Sequence, residues 1–274
     1  MKRILIPALI ALGLTAAACG ISVGDSTATD SCTVPQVVAH RGGWADVGRT
    51  EDTVGAYVKA ATYGLLEWET DIRFDRNNVP YLMHDATIDR TTKGTGQASS
   101  VNIATTTVKM NDGTALKDQG LARLLSYASH YEASVSIEPK VAATSSQVTR
   151  VLALLDTYGM RDRVLFESFR TANLAPFKTA APNLTYALVV ATAVSPATAA
   201  GVGSVLYVAD AMLTQPLVDA YHAAGVKVYA WTPDTPTQWA AHRSLGIDRF
   251  VSDNPVKYRA WRDAVCTGGW IGSY

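Results

Sequence analysis

Ser204-Val205-Leu206-Tyr207-Val208, Val226-Lys227-Val228-Tyr229-Ala230-Trp231 and Ile247-Asp248-Arg249-Phe250-Val251-Ser252 are short runs rich in β-forming residues, separated by helical stretches at 214–224 and 235–244. Strands that alternate with helices at this spacing run parallel, because a parallel pair needs a crossover of a dozen or more residues. Working back toward the N-terminus, the same alternation gives strands near 37–41, 66–72, 133–138, 163–167 and 184–190. Helices are expected at 53–63, 118–131, 144–158, 171–179 and, finally, 254–264, while residues 191–203 read only as a weak helix. Gly64, Gly159, Gly225 and Gly246 each follow a helical run as left-handed C-caps, and Thr53, Thr171 and Thr235 read as N-caps. Eight strand–helix units suit a closed (β/α)8 TIM-type barrel better than an open doubly wound sheet, and no Gly-rich dinucleotide fingerprint follows the first strand.

One run breaks the alternation. Val79–Met83 begins after Asp75-Arg76-Asn77-Asn78, a turn too short to hold a crossover helix, so it should return as a hairpin at the barrel mouth. Residues 86–117, polar and rich in Thr, Gly and Asn, then form a small insertion after His84-Asp85, of the kind that often covers sites.

The chain has 274 residues with 24 basic and 24 acidic side chains, and without a basic run it has no nucleic-acid groove to offer. A small, locally recognised anion fits better. Residues 1–19 read as a signal peptide, with Lys2-Arg3 before an apolar run too short for an ordinary membrane span. Ala16-Ala17-Ala18-Cys19 is similar to a lipoprotein processing site, so Cys19 is a candidate for lipidation and membrane anchoring, with plain secretion as the alternative. Residues 20–33 read as a flexible spacer and 34–274 as the barrel domain. The expected location is extracytoplasmic, where Cys32 and Cys266, just before the first strand and at the end of the last helix, are expected to form a disulfide.

The chemistry-bearing residues stand at the ends of the predicted strands. His40 and Arg41 follow the first, Glu69 and Asp71 share one face of the second, and His84 ends the hairpin run. Two imidazoles can divide general base and general acid work near neutral pH, and an arginine fork suits phosphate oxygens. Glu138, ending the next barrel strand, adds a third carboxylate. Three ionised carboxylates repel unless a cation neutralises them, and all-oxygen ligation points to one divalent ion, Ca²⁺ or Mg²⁺. Lys140 lies where it could meet the same phosphate, and Trp231 could wall the pocket. His130, His222 and His242 read as surface residues on helices.

The order His40-Arg41-Gly42, Thr50-Glu51-Asp52-Thr53, Glu69-Thr70-Asp71, His84-Asp85, Glu138-Pro139-Lys140, Glu167-Ser168-Phe169, Trp231-Thr232-Pro233-Asp234 and Val251-Ser252-Asp253-Asn254-Pro255 resembles the glycerophosphodiester phosphodiesterases over nearly all of residues 36–256. The resemblance implies a TIM-type barrel, with His40 and His84 as the acid–base pair and Glu69, Asp71 and Glu138 as metal ligands. It implies Arg41 and Lys140 on the phosphate, with Glu51 in a supporting role. Asp52 stands where that family usually has Asn, Pro139 where it has an aliphatic residue, and Ser252 where it has Thr. The implied reaction is hydrolysis of a small-molecule glycerophosphodiester to sn-glycerol 3-phosphate and an alcohol, with water or the neighbouring glycerol hydroxyl as nucleophile. The rival readings are a phospholipase D-like or lysophospholipid-cleaving activity and a noncatalytic extracytoplasmic binding lipoprotein on the same barrel.

Overall fold

Alternation along the strands decides which side chains face the barrel interior and which face the surrounding helices. A computed structural model describes residues 34–268. Its strands are β1 (Gln36–Ala39), β2 (Glu67–Phe74), β3 (Pro80–Leu82), β4 (Ser134–Pro139), β5 (Val164–Ser168), β6 (Thr185–Val190), β7 (Val205–Ala209), β8 (Lys227–Trp231) and β9 (Arg249–Ser252). All but β3 pair in parallel, in the order β1-β9-β8-β7-β6-β5-β4-β2, and a β1–β2 pairing at Ala39 and Trp68 closes the ring. The expected (β/α)8 barrel is therefore the observed fold. β3 runs antiparallel to β2, with Leu82 beside Ile72, as the short turn at residues 75–78 requires.

On β2, Trp68 and Ile72 are fully buried in the layer between barrel and helices, where Tyr57, Leu121 and Leu125 join them. Burying each such side chain contributes about 1.5–3 kcal/mol. The interior holds a second apolar cluster that includes Val38, Val189, Val205, Tyr207 and Val251. Glu69 and Asp71, one residue either side of Thr70, share the inward face of β2 with Glu67, which lies earlier on the strand and pairs with Arg249 of β9.

The helices are α1 (Trp44–Val47), α2 (Val54–Thr62), α3 (Leu121–Tyr131), α4 (Ser145–Thr157), α5 (Thr171–Ala180), α6 (Pro196–Val202), α7 (Gln215–Ala223), α8 (Pro236–Arg243) and α9 (Pro255–Cys266). Thr53 caps α2 by accepting from the Ala56 N–H, and Thr235 forms a capping box with Gln238 on α8. Thr171 is not a cap. Arg170 holds that position, and Ser168 Oγ accepts the Arg170 N–H instead, so Thr171 is already helical. The stretch read as weakly helical does form α6 over its last residues, because the Ser195 side chain caps it and Pro196 opens it. α3 begins only at Leu121, three residues later than expected, because a short 3-10 turn over Leu116–Asp118 precedes it and Gly120 takes the N-cap position. The short α1 was not expected from the sequence; four residues are too few for a periodic signal.

The insertion packs on itself. Met83, Ile88, Ile103, Met110 and Leu116 gather around Tyr81 of β3 in a small separate core. Asp75 organises its base, accepting the N–H groups of Asn77, Val79 and Ile103 at 2.7, 2.8 and 3.0 Å. Cys266 ends α9, while Cys19, Cys32, the signal segment and the spacer lie outside the described residues. Among the described residues no helix is long and apolar enough to cross a membrane.

Candidate active site

His40-Arg41-Gly42-Gly43 forms a tight turn at the carboxyl end of β1. Arg41, Gly42 and Gly43 all have positive φ, and a Cβ on Gly42 would stand 2.7 Å from that of Ala56 on α2. The turn lets the Arg41 N–H donate to Glu69 Oε2 at 2.9 Å, while the guanidinium reaches Glu51 at 2.9 Å and Asp71 at 3.0 Å. Glu51 thus holds the Arg41 guanidinium in place. Asp52 also has positive φ and is buried. Its Oδ1 accepts from Tyr57, Thr70 and the Asp71 N–H, tying α2 to β2 immediately beneath the site.

Both histidines are held by aspartates. His40 Nδ1 lies 2.6 Å from Asp253 Oδ1, which also accepts from Trp44 Nε1 at 3.0 Å. His84 Nδ1 lies 2.7 Å from Asp85 Oδ1. When Nδ1–H is given to a carboxylate, Nε2 is the nitrogen left for proton transfer. His40 Nε2 is 3.8 Å from Glu69 Oε2. Burial lowers the His84 pKa from its ordinary 6.5, outweighing Asp71, which favours the imidazolium.

β2 and β4 set Asp71 directly beside Glu138. Lys140 bridges the two, with Nζ 2.9 Å from Glu138 Oε2 and 3.3 Å from Asp71 Oδ1. Burial opposes ionisation of Asp71, but Lys140, Arg41 and the two histidines together hold its carboxyl down at about 2. Glu69 and Glu138 go the other way: burial, then repulsion by Asp71, raises both. Glu167, which the β4–β5 register sets next to Glu138, is buried and raised by burial and by Glu138.

These groups line one cavity of about 350 Å³ at the carboxyl ends of the strands. His40, Arg41, Glu69, His84, Glu138 and Lys140 all face it, and Asp71 lies at its floor through contacts with Arg41 and Lys140. Trp231 also lines it, stacked edge to face on the half-exposed Phe169 at 5.2 Å. Of the residues assigned to the site from the sequence, His40, Arg41, Glu69, His84, Glu138, Lys140 and Trp231 line the cavity, while Glu51 and Asp71 stand behind it as partners of Arg41. The carboxylates are spread over several cationic partners, and among the described residues no group of three His, Cys, Asp or Glu stands close enough to form a ready metal cage.

Residues 40–257 match the glycerophosphoryl diester phosphodiesterase family. The chain belongs to that family. Membership makes it a phosphoric diester hydrolase by class. It is 30% identical over 255 residues to the probable glycerophosphodiester phosphodiesterase 1 of Mycobacterium tuberculosis, covering 83% of this chain and 92% of that protein. A glycerophosphodiester phosphodiesterase from Agrobacterium tumefaciens superposes with a TM-score of 0.73 at 24% identity, covering 82% of this chain and 99% of the other. An Oleispira antarctica phosphodiesterase, solved with the product sn-glycerol-3-phosphate, superposes with a TM-score of 0.75 at 23% identity, covering 84% and 97%. At these identities the two structures establish the shared barrel.

The sequence reading assigned no role to Asp85, Arg90, Glu167 or Asp253. A signal was present for three of them: Asp85 adjoins a candidate histidine, and Glu167 and Asp253 close strands whose neighbours carry site residues. Arg90 had none, because its place depends on how the insertion folds. Of the remaining histidines, His130 and His222 are exposed, but His242 is half-buried, 3.9 Å from Asp210, where α8 packs on the loop after β7.

Proposed function

We propose that the chain hydrolyses glycerophosphodiesters to sn-glycerol 3-phosphate and an alcohol, with His84 as general base and His40 as general acid. The observation that carries this reading is the pairing of both imidazoles with aspartates at one cavity that also presents Arg41 and Lys140. Burial lowers the His84 pKa and so favours the neutral form, which a base needs. His84 Nε2 takes the proton of the attacking hydroxyl, either of water, which gives sn-glycerol 3-phosphate directly, or of the substrate's own glycerol, which gives a cyclic phosphate that water then opens. Arg41 and Lys140, both facing the cavity, hold the nonbridging oxygens and offset their negative charge. His40 Nε2 gives its proton to the departing alcohol oxygen, and Asp253 keeps the ring in place.

A single divalent cation, Ca²⁺ or Mg²⁺, fits the donor set. Glu69, Asp71 and Glu138 offer only hard oxygen ligands, and burial, then repulsion by Asp71, raises the pKa of Glu69 and Glu138, while Asp71 Oδ2 makes no hydrogen bond and has only the ion pair with Arg41 Nε at 3.0 Å. Bound there, the ion would supply Lewis-acid stabilisation of charge on the phosphate. Export through residues 1–19, lipidation at Cys19 and a Cys32–Cys266 disulfide complete the reading. Tyr258 of α9 donates to the Pro35 carbonyl at 2.5 Å, which supports this pairing by bringing the last helix against the chain just after Cys32.

The test is the purified protein on a panel of glycerophosphodiesters with choline, ethanolamine and glycerol as leaving alcohols, beside a lysophospholipid, with added Ca²⁺ or Mg²⁺. Release of sn-glycerol 3-phosphate is the expected result; cleavage of the lysophospholipid alone would replace the substrate assignment.

A further inference from the structure

Arg90 comes off the insertion with its side chain half exposed and spans two carboxylates at once. Nε and Nη2 meet Asp85 at 2.6 and 3.0 Å, while Nη1 and Nη2 meet the two oxygens of Glu51 at 2.7 Å each. The Glu51 oxygen that accepts from Nη2 also accepts from Arg41, and the Asp85 oxygen that accepts from Nη2 also faces His84 Nδ1. An unbroken chain therefore runs from Arg41 through Glu51, Arg90 and Asp85 to His84. The insertion backbone is pinned to match. Asn111 donates to the Arg90 carbonyl at 2.7 Å, and Asp112 exchanges hydrogen bonds with Thr50, next to Glu51.

We propose that Arg90 is a positioning residue for the reaction, fixing the His84 imidazole through Asp85 and the Arg41 fork through Glu51, so that the insertion is part of the catalytic apparatus. The inference rests on the roles given above to His84 and Arg41. Two bidentate guanidinium contacts lock both carboxylates in orientation, which one hydrogen bond could not do. Arg90 also neutralises Asp85. A bare carboxylate 2.7 Å from the ring would favour the imidazolium, which cannot act as a base. The other charges acting on His84 are Asp71 on one side and Arg41 and Lys140 on the other, and the Arg73 guanidinium holds its carbonyl oxygen. Removing Arg90 leaves Asp85 and Asp71 both drawing a proton onto the ring.

The experiment compares wild type, Arg90→Met, Arg90→Lys and His84→Ala as metal-loaded full chains. Arg90→Met should lose about 10²-fold in kcat, raise KM several-fold, and move the acidic limb of the pH–rate profile upward. Arg90→Lys restores the charge without the fork. It should return the limb toward its wild-type position and recover only part of kcat. The hydrogen-bonded Nδ1 proton resonance of His84 should be lost or shifted in Arg90→Met and retained in wild type. Arg90→Met activity within twofold of wild type, or a loss with an unmoved limb and an unchanged His84 resonance, overturns the proposal. A fully active His84→Ala enzyme overturns the base assignment beneath it, a result distinct from a normal Arg90→Met beside an inactive His84→Ala.

Discussion

Asp253 Oδ1 stands 2.6 Å from His40 Nδ1 although 213 positions separate the two residues, because β9 pairs with β1 and their carboxyl ends meet at the barrel mouth. The aspartate is itself held by Asp234, which accepts the Asp253 N–H and the Ser252 hydroxyl at 2.7 Å each. Burial works against its ionisation, but contact with His40 brings its pKa below the ordinary 3.8. Asp253→Ala should therefore lower kcat by about 10²-fold or more while leaving KM near wild type, since the ring remains but turns freely. Steady-state kinetics beside a circular-dichroism spectrum check this; a large KM effect with normal kcat would place Asp253 in binding.

His40→Ala and His84→Ala should each cost 10²- to 10⁴-fold in turnover with an unchanged circular-dichroism spectrum, the usual range for loss of an acid–base group. His222→Ala should retain wild-type turnover. Its ring is exposed, and its partner Asp248 still accepts the Val228 N–H at 2.8 Å.

The pH dependence follows from the direction of the His84 shift. Burial depresses its pKa below 6.5, so the neutral base persists as pH falls through 6.5 and is lost only at the lower, folded-state value. The acidic limb of kcat/KM should consequently lie below 6.5 in the free enzyme. A limb clearly above 6.5 would show that another group governs it.

Removal of the cation gives a direct measurement. Asp71→Asn takes away the carboxylate shared by Arg41 and Lys140 and adjacent to Glu138, so it should weaken divalent-ion binding and cut turnover by about 10²-fold or more. Isothermal titration with Ca²⁺ and Mg²⁺ reads the first effect without recourse to activity. Full turnover after prolonged dialysis against excess chelator would remove the cation from the mechanism.

The expected Cys32–Cys266 bond would close nearly the whole barrel sequence into one loop, and the chain-entropy model allows about 5 kcal/mol for so long a loop. Reduction should lower the melting temperature but spare activity under mild conditions, since the first strand begins, and the last helix ends, on the side opposite the cavity. Nonreducing peptide mass spectrometry of the exported protein decides the pairing, and two free thiols would refute it.

The sequence alone determined the barrel and many of the residues at its mouth. Period-2 and helical runs are local, so the eight strands and the β3 hairpin could be read from short windows, and strand ends mark the active face once the closed parallel fold is recognised. Asp71 and Glu138 were legible for the same reason: each sits on the inward face of its own strand. What joins distant strands or loops was decided by the tertiary structure. The Asp253–His40 pair needs the closure of β9 on β1, and the path from Arg41 to His84 through Arg90 needs the insertion to fold over Glu51. No local period carries such relationships, because they follow from register, barrel closure and the packing of an irregular loop around Tyr81.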